Sequence, residues 1–264
     1  MRLIVWNSQG AKWDVLWTNW AGPAVTPQTD DVVALVVEAG WAPWILPGKV
    51  VINNVYPYDI DSGRYNESGA TKSPCCTAIE DSRRRKAAWI PWVKTPADMD
   101  AGIRTNSRCS MGGILMPNRM QMQGQPSRYV FNGHKRPVVR VQLGARRDVE
   151  MTILLVHLIS GYWRNAQAEM DDLTATMSTL IPQSTLGMVV GDMNIDLLTR
   201  VPNVPAGWHI LNCGVATQQS GGELDWALLY NPAGLNLTTN AAVLQQYKSG
   251  ANPADHSVMQ YTVT

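Results

Sequence analysis

Leu186-Gly187-Met188-Val189-Val190-Gly191-Asp192-Met193-Asn194-Ile195-Asp196 is the stretch around which the rest of the chain can be arranged. Met188, Val189 and Val190 form a short apolar run that suits a strand buried on both faces. Gly191 is expected to end that strand, because glycine lets the backbone turn without a Cβ penalty. Asp192 and Asn194 then fall just past the strand end, two residues apart, so that both side chains can lean toward one side. A carboxylate and an amide at the mouth of a buried strand are unfavourable unless something there engages them. A phosphate held by a metal ion is one such partner.

Upstream of this strand, Tyr162–Leu180 carries Ala166, Met170, Leu173, Met177 and Leu180 at helical spacing, which predicts a helix with one apolar face. Before it, Gly113–Met116, Ser127–Phe131, Pro137–Leu143 and Glu150–His157 read as successive strands, with turns at Asn132-Gly133 and Arg146–Asp148. Downstream, His209–Asn212 is a short strand after the loop Pro202–Pro205. Leu224–Leu229 and Ser257–Val263 close the chain as strands. Toward the N-terminus, Leu3–Trp6 and Val32–Val37 are apolar runs that end in polar residues at Asn7 and Glu38. Trp13 to Trp20 suits a helix, and Thr26-Pro27 resembles another helix start. Between Pro43 and Asn106 the pattern is weak. It holds short strand candidates at Lys49–Tyr56 and Ala87–Val93, and the basic run Arg83–Lys86, which reads as a solvated loop.

Many strands, few helices, no internal repeat and no linker predict one α+β domain over residues 1–264. Its expected architecture is two mixed sheets packed face to face with helices outside, a four-layer α/β/β/α sandwich. The length of 264 residues and a hydrophobic fraction of 45% allow a sizeable core and argue against disorder. No apolar run is long enough for a membrane span, and no signal peptide is visible at the start of the chain. A formal net charge of +1 leaves any nucleic-acid binding to local patches, so such binding should be weak, salt-sensitive and largely independent of sequence. The adjacent Cys75 and Cys76 and the isolated Cys109 and Cys213 lack the spacing of a zinc site. Eleven Trp beside one Phe point to Trp as a core filler. Trp13, Trp17 and Trp20 could face a core or dock another subunit.

The polar residues that follow or interrupt apolar runs are Asn7, Glu38, His157, Asp192, Asn194, Asp225, Asp255 and His256. In a sandwich, strand ends of this kind can gather at one rim. The motifs W-N-x-Q-G, E-A-G, V-H, G-D-x-N, L-D-W and D-H-S, in that order, resemble the endonuclease/exonuclease/phosphatase family, whose best-known fold is that of deoxyribonuclease I. Within that family the chain is similar to the catalytic B subunits of cytolethal distending toxins. The residues that carry this likeness are Trp6-Asn7 with Gln9-Gly10, Glu38-Ala39-Gly40, and Ala216-Thr217-Gln218 running on to Leu224-Asp225-Trp226-Ala227. Trp226 stands where that family usually has Tyr, and the stretch from Gly40 to Asn106 does not match.

The resemblance implies a metal-dependent phosphodiesterase, most simply a DNA-nicking endonuclease. The alternatives it leaves open are a phosphoinositide phosphatase on the same fold and an inactive binding subunit. Glu38 would be the carboxylate for Mg²⁺ or Mn²⁺, with Asp255 as a further ligand. Asp192 and Asn194 would orient the attacking water or a phosphate oxygen. His256 would act as a base or as a charged phosphate clamp, with Asp225 holding its other ring nitrogen. His157 would be the second histidine, donating a proton to the leaving oxygen or stabilising the developing charge. Asn7 would donate to the phosphate or to Glu38. Arg108 and Arg136 align with arginines that contact DNA phosphates. A carboxylate partner for the first histidine would fall in the unmatched region, with Glu67 and Glu80 as candidates. The toxin likeness also implies delivery subunits as partners, and a secreted bacterial protein acting inside a target cell.

Overall fold

The structure is a computed structural model. It describes residues 1–9, 13–16, 19–20, 31–38, 88–90, 111–116, 120–123, 127–129, 138–145, 150–181 and 185–264. The first sheet is built from β1 (Arg2–Asn7), β2 (Val32–Val37), β3 (Ala88–Ile90), β4 (Met111–Met116), β12 (Thr239–Gln245) and β13 (Val258–Val263). Their order across the sheet is β12-β13-β1-β2-β4-β3. The second sheet contains β5 (Gln121–Met122), β6 (Ser127–Tyr129), β7 (Val138–Gly144), β8 (Met151–His157), β9 (Leu186–Asp192), β10 (Trp208–Leu211) and β11 (Asp225–Tyr230). Here the order is β10-β11-β9-β8-β7-β5, with β6 also paired to β7. Among the described residues each sheet has one parallel pair, β1 with β2 and β8 with β9, and the remaining pairs are antiparallel.

A parallel pair needs a crossover. Between β8 and β9 that crossover contains α2 (Trp163–Leu180), and between β1 and β2 it contains α1 (Trp13–Leu16). α2 turns Ala166, Met170, Leu173 and Met177 inward against Leu154, Val156, Val189, Trp226 and Leu228, which line the outer face of the second sheet. The alternate residues of the same strands point the other way. Ile153, Leu155, Met188, Val190 and Ala227 meet Leu3, Val5, Val33, Leu35 and Tyr261 of the first sheet in the central core. On the far side of the first sheet, Trp20 packs edge-on against Trp6 with ring centroids 5.1 Å apart. Trp20 therefore serves the core, while Trp17 lies outside the described residues. The mixed two-sheet sandwich with outer helices is the expected fold.

Two expectations about elements change. Gly191 does not end its strand. β9 runs through it to Asp192, and a Cβ at Gly191 would stand 2.0 Å from the carbonyl oxygen of Val156. The glycine permits β8 and β9 to approach closely, at a φ of +144° that disfavours other residues. β12 is a further strand that the sequence pattern does not announce. That edge strand reads T-N-A-A-V-L-Q, is half-buried except at the exposed Asn240 and Leu244, and has a register shift between Val243 and Gln245. Its small and polar residues carry little strand signal.

Candidate active site

Sheet register places the central polar residues. His157 is the last residue of β8, Asp192 the last of β9 and Asp225 the first of β11. His157 is in register with Asp192 in the parallel pair, and Asp192 with Asp225 in the antiparallel pair. Three neighbouring strands thus present a histidine and two aspartates in a row, on the face that meets the other sheet. From that other sheet comes Asn7, the last residue of β1, whose Nδ2 donates to Asp192 Oδ2 at 3.0 Å. Glu38 follows β2 directly, and a φ of +53° redirects its backbone at the strand end. Its turn is fixed by Ser8, whose N–H donates to Val37 O at 3.1 Å and whose Oγ donates to Glu38 O at 3.1 Å.

His256 arrives from the loop before β13. Its Nδ1 lies 2.8 Å from Asp225 Oδ2. The loop is clamped by the buried Asn252, whose Nδ2 donates to His256 O at 2.8 Å. Thr217 holds the opposing segment, its Oγ1 accepting from the N–H groups of Leu224 and Asp225 at 2.9 and 3.0 Å. Asp255 N–H donates to Gln9 Oε1 at 3.0 Å, tying the first turn of the chain to the last loop.

These groups converge. His157 Nε2 is 3.3 Å from Asp192 Oδ2 and 3.7 Å from Glu38 Oε1. His256 Nε2 is 3.7 Å from the same Asp192 oxygen and 3.8 Å from Asp255 Oδ1. Asp192, Asp225, His157, His256 and Asn7 are all buried. The side chains of Glu38 and Asp255 are 14% and 25% exposed, so the cluster opens to solvent on their side. Asn194 stands at the edge of the cluster. Its N–H donates to Asp192 Oδ1 at 3.1 Å and its Nδ2 to Leu158 O at 2.9 Å, so its side chain braces the loop after His157. Arg108 and Arg136 lie outside the described residues, as do Glu67 and Glu80.

The charges follow from these contacts. Burial pulls the His256 imidazolium down, but Asp225, Asp192 and Asp255 outweigh it and push the group up to about 10. Burial likewise pushes Asp192 up. The charges of His256 and His157, with hydrogen bonds from His157 and Asn7, reverse that and hold the carboxyl well below its usual range. Asp192 is therefore a fixed anion.

The donor set suits a hard divalent cation. Carboxylate oxygens of Glu38, Asp192 and Asp255 surround the two histidines, and such ions favour carboxylates with water completing the shell. Asp255 Oδ1 is buried, and among the described residues no donor satisfies it, which leaves one lone pair set aimed into the cluster. Asp192, Asp225 and His256 also bring potential ligand atoms within 4.8 Å of one another. The 2.8 Å contact between Asp225 and His256 is better read as a hydrogen-bonded dyad, because a shared metal would require that bond to open.

Residues missed by the sequence reading are chiefly those that hold loops. Thr217 and Gln9 were visible only as part of a motif, and Asn252, four residues before His256, carried no signal beyond being a polar residue that turned out to be buried.

No family model matches this chain, and no curated protein matches its sequence. Solved structures do match its shape. The Haemophilus ducreyi cytolethal distending toxin aligns with a TM-score of 0.57 at 17% identity, over 99% of this chain and 97% of that one. CdtB, the biologically active subunit of cytolethal distending toxin, aligns with a TM-score of 0.58 at 18% identity, over 99% and 96%. TDP2 of D. rerio, solved with a single-strand DNA product, aligns with a TM-score of 0.55 at 12% identity, over 100% and 98%. The shared feature is the fold, which is deoxyribonuclease I-like.

Proposed function

We propose that this chain is a divalent-metal-dependent phosphodiesterase that nicks DNA. The observation that carries the reading is the meeting of His157, Asp192 and His256, brought by three separate segments, around one anion within 3.7 Å. Glu38 and Asp192 would hold Mg²⁺ or Mn²⁺, with Asp255 Oδ1 as a further ligand. When bound, the cation would draw charge from a phosphoryl oxygen and so expose the phosphorus to attack.

The protein's own groups supply the rest. Asn7 fixes one oxygen of Asp192 by hydrogen bond, and the N–H of Asn194 fixes the other, so the carboxylate has a single orientation toward an attacking water. Asp225 holds His256 at Nδ1 and leaves Nε2 facing the cluster. With its raised proton affinity His256 is the cationic clamp on a non-bridging phosphate oxygen. His157 Nε2, between Glu38 and Asp192, is placed to protonate the leaving oxygen as the bond from phosphorus breaks, while the proton of the attacking water passes to solvent on the open side of Glu38 and Asp255.

The expected outcome is Mg²⁺-dependent conversion of supercoiled plasmid to the nicked circle, blocked by EDTA. His157→Ala and His256→Ala should each lower the rate by about 10²–10⁴-fold. Wild-type protein that fails to nick plasmid with Mg²⁺, Mn²⁺ or Ca²⁺ would overturn the reading. Phosphate release from an inositol lipid, without nicking, would move the activity to the other substrate class.

A further inference from the structure

We propose that a cleft beside the catalytic cluster binds the nucleotide next to the cut phosphate, in a single-stranded or frayed stretch of nucleic acid, by stacking its base on Tyr162 and holding its phosphates with Arg164 and Arg200. This rests on the phosphodiesterase reading.

The cleft, about 520 Å³, is lined by Tyr162, Trp163, Asn194, Arg200 and Leu224, among others. It adjoins the cluster through two residues. Asn194 donates to Asp192, and Leu224 directly precedes Asp225. Tyr162 is 55% exposed, a large apolar ring left in water at the mouth of the cleft. A nucleobase covers such a ring whatever its identity, because every base has a π-face.

Charge points the same way. The guanidinium of Arg200 lies 4.7 Å from the Trp163 ring centroid, and that of Arg164 lies 5.5 Å from the same ring and 5.7 Å from that of Tyr162. Stacking engages the flat face of a guanidinium and leaves its N–H edge free to donate to a phosphate. Among the described residues neither arginine is paired with a carboxylate. The one acid lining the cleft is already engaged. Asp196 Oδ1 accepts from the N–H groups of Leu198 and Glu223, and its Oδ2 accepts from Thr199 Oγ1. A polyanion entering the cleft therefore meets Arg200 in its lining, Arg164 beside the Tyr162 ring and an open aromatic face, against the single charge of Asp196.

The test is fluorescence anisotropy of a labelled 12-nucleotide thymidine strand on the full chain in EDTA, so that binding is read without turnover. Cleavage of the same strand and of bis(p-nitrophenyl) phosphate with Mg²⁺ is measured alongside. Tyr162→Ala should weaken binding about tenfold or more, and Tyr162→Phe should restore it. Arg200→Ala should weaken binding and make the salt dependence shallower by about 0.7 in the log–log slope. The ratio of strand cleavage to small-diester cleavage should fall about tenfold in Tyr162→Ala. Strand binding within twofold of the parent in both alanine variants would overturn the cleft, while activity on the small diester would leave the phosphodiesterase reading standing. A chain that cleaves neither substrate yet loses strand binding on Tyr162→Ala would sink the phosphodiesterase reading and keep the cleft. Displacement of the strand by inositol hexakisphosphate but not by excess unlabelled strand would overturn the nucleotide assignment.

Discussion

Three carboxylates face one imidazole at His256, and this imbalance has a consequence for stability in the cation-free protein. His256 is raised from its usual 6.5 to about 10 by Asp225, Asp192 and Asp255, against burial. Its contribution is fully present below about pH 6.5 and is lost as pH rises through 10. Asp192 is shifted the other way, held below its usual 3.8. Its contribution is present above that value and is lost as pH falls below it. Urea unfolding in EDTA should therefore give a stability maximum between about pH 4 and 6.5, with a falling alkaline limb. Asp225→Asn removes the closest partner of the imidazole, so the limb between pH 6.5 and 10 should flatten. An unchanged alkaline limb in that variant would show that the proton on His256 is held by something else. The residues of this cluster were legible in the sequence because each is a charged or amide side chain at, or just before, one end of an apolar run. Thr217 and Asn252 were not, since their importance lies in pairing two loops, and loop-to-loop contact leaves no periodic trace.

At the scale of elements, the pairing of β8 with β9 decides where the site forms. A one-residue slip would turn Asp192 away from His157 and toward α2, because side chains alternate along a strand. Gly191 guards that register from within. With Val156 O only 2.0 Å from where a Cβ would stand, and φ at +144°, Gly191→Ala cannot be accommodated without pushing the two strands apart. The expected loss is about 3 kcal/mol or more, seen as a lowered urea midpoint or as insoluble protein. Gly187→Ala is the comparison. The inserted methyl would meet the Cδ1 of Ile181 at 2.5 Å, a side-chain end that can turn aside, so the loss should be smaller. Equal stability of Gly191→Ala and the parent would mean that the strands are not so tightly apposed. The central strands and α2 were readable because burial on both faces or on one stripe imposes an unbroken or a 3.6-residue pattern. β12 escaped because an edge strand needs only half of such a pattern, and its Thr, Asn and Ala residues supply less than half.

Across the whole molecule, the site is closed by parts from opposite ends of the chain. Asn7 and Glu38 come from the first sheet, His157, Asp192 and Asp225 from the second, and Asp255-His256 from the loop that returns to the first. Many strands, few helices and no repeat were enough to anticipate the sandwich, and a two-sheet core leaves its rims for such polar groups. Which rim oxygens face one another was not legible, since that depends on the relative placement of two sheets joined by long connections. A cation bound there touches both layers and binds the folded state alone. Such a cation would therefore raise the unfolding temperature. At an Mn²⁺ concentration about 100 times its dissociation constant the gain is about 2.7 kcal/mol, or roughly 5–10 °C for a chain of this size. Glu38→Gln removes a partly exposed carboxylate that approaches His157 only at 3.7 Å, so its unfolding temperature in EDTA should stay near the parent's while the Mn²⁺ shift shrinks. Asp192→Asn should lose the shift and also lower the EDTA value, because Asn7 and both histidines are arranged around its charge. A full Mn²⁺ shift in both variants would place any bound cation elsewhere and remove the reason for grouping Glu38 with Asp192.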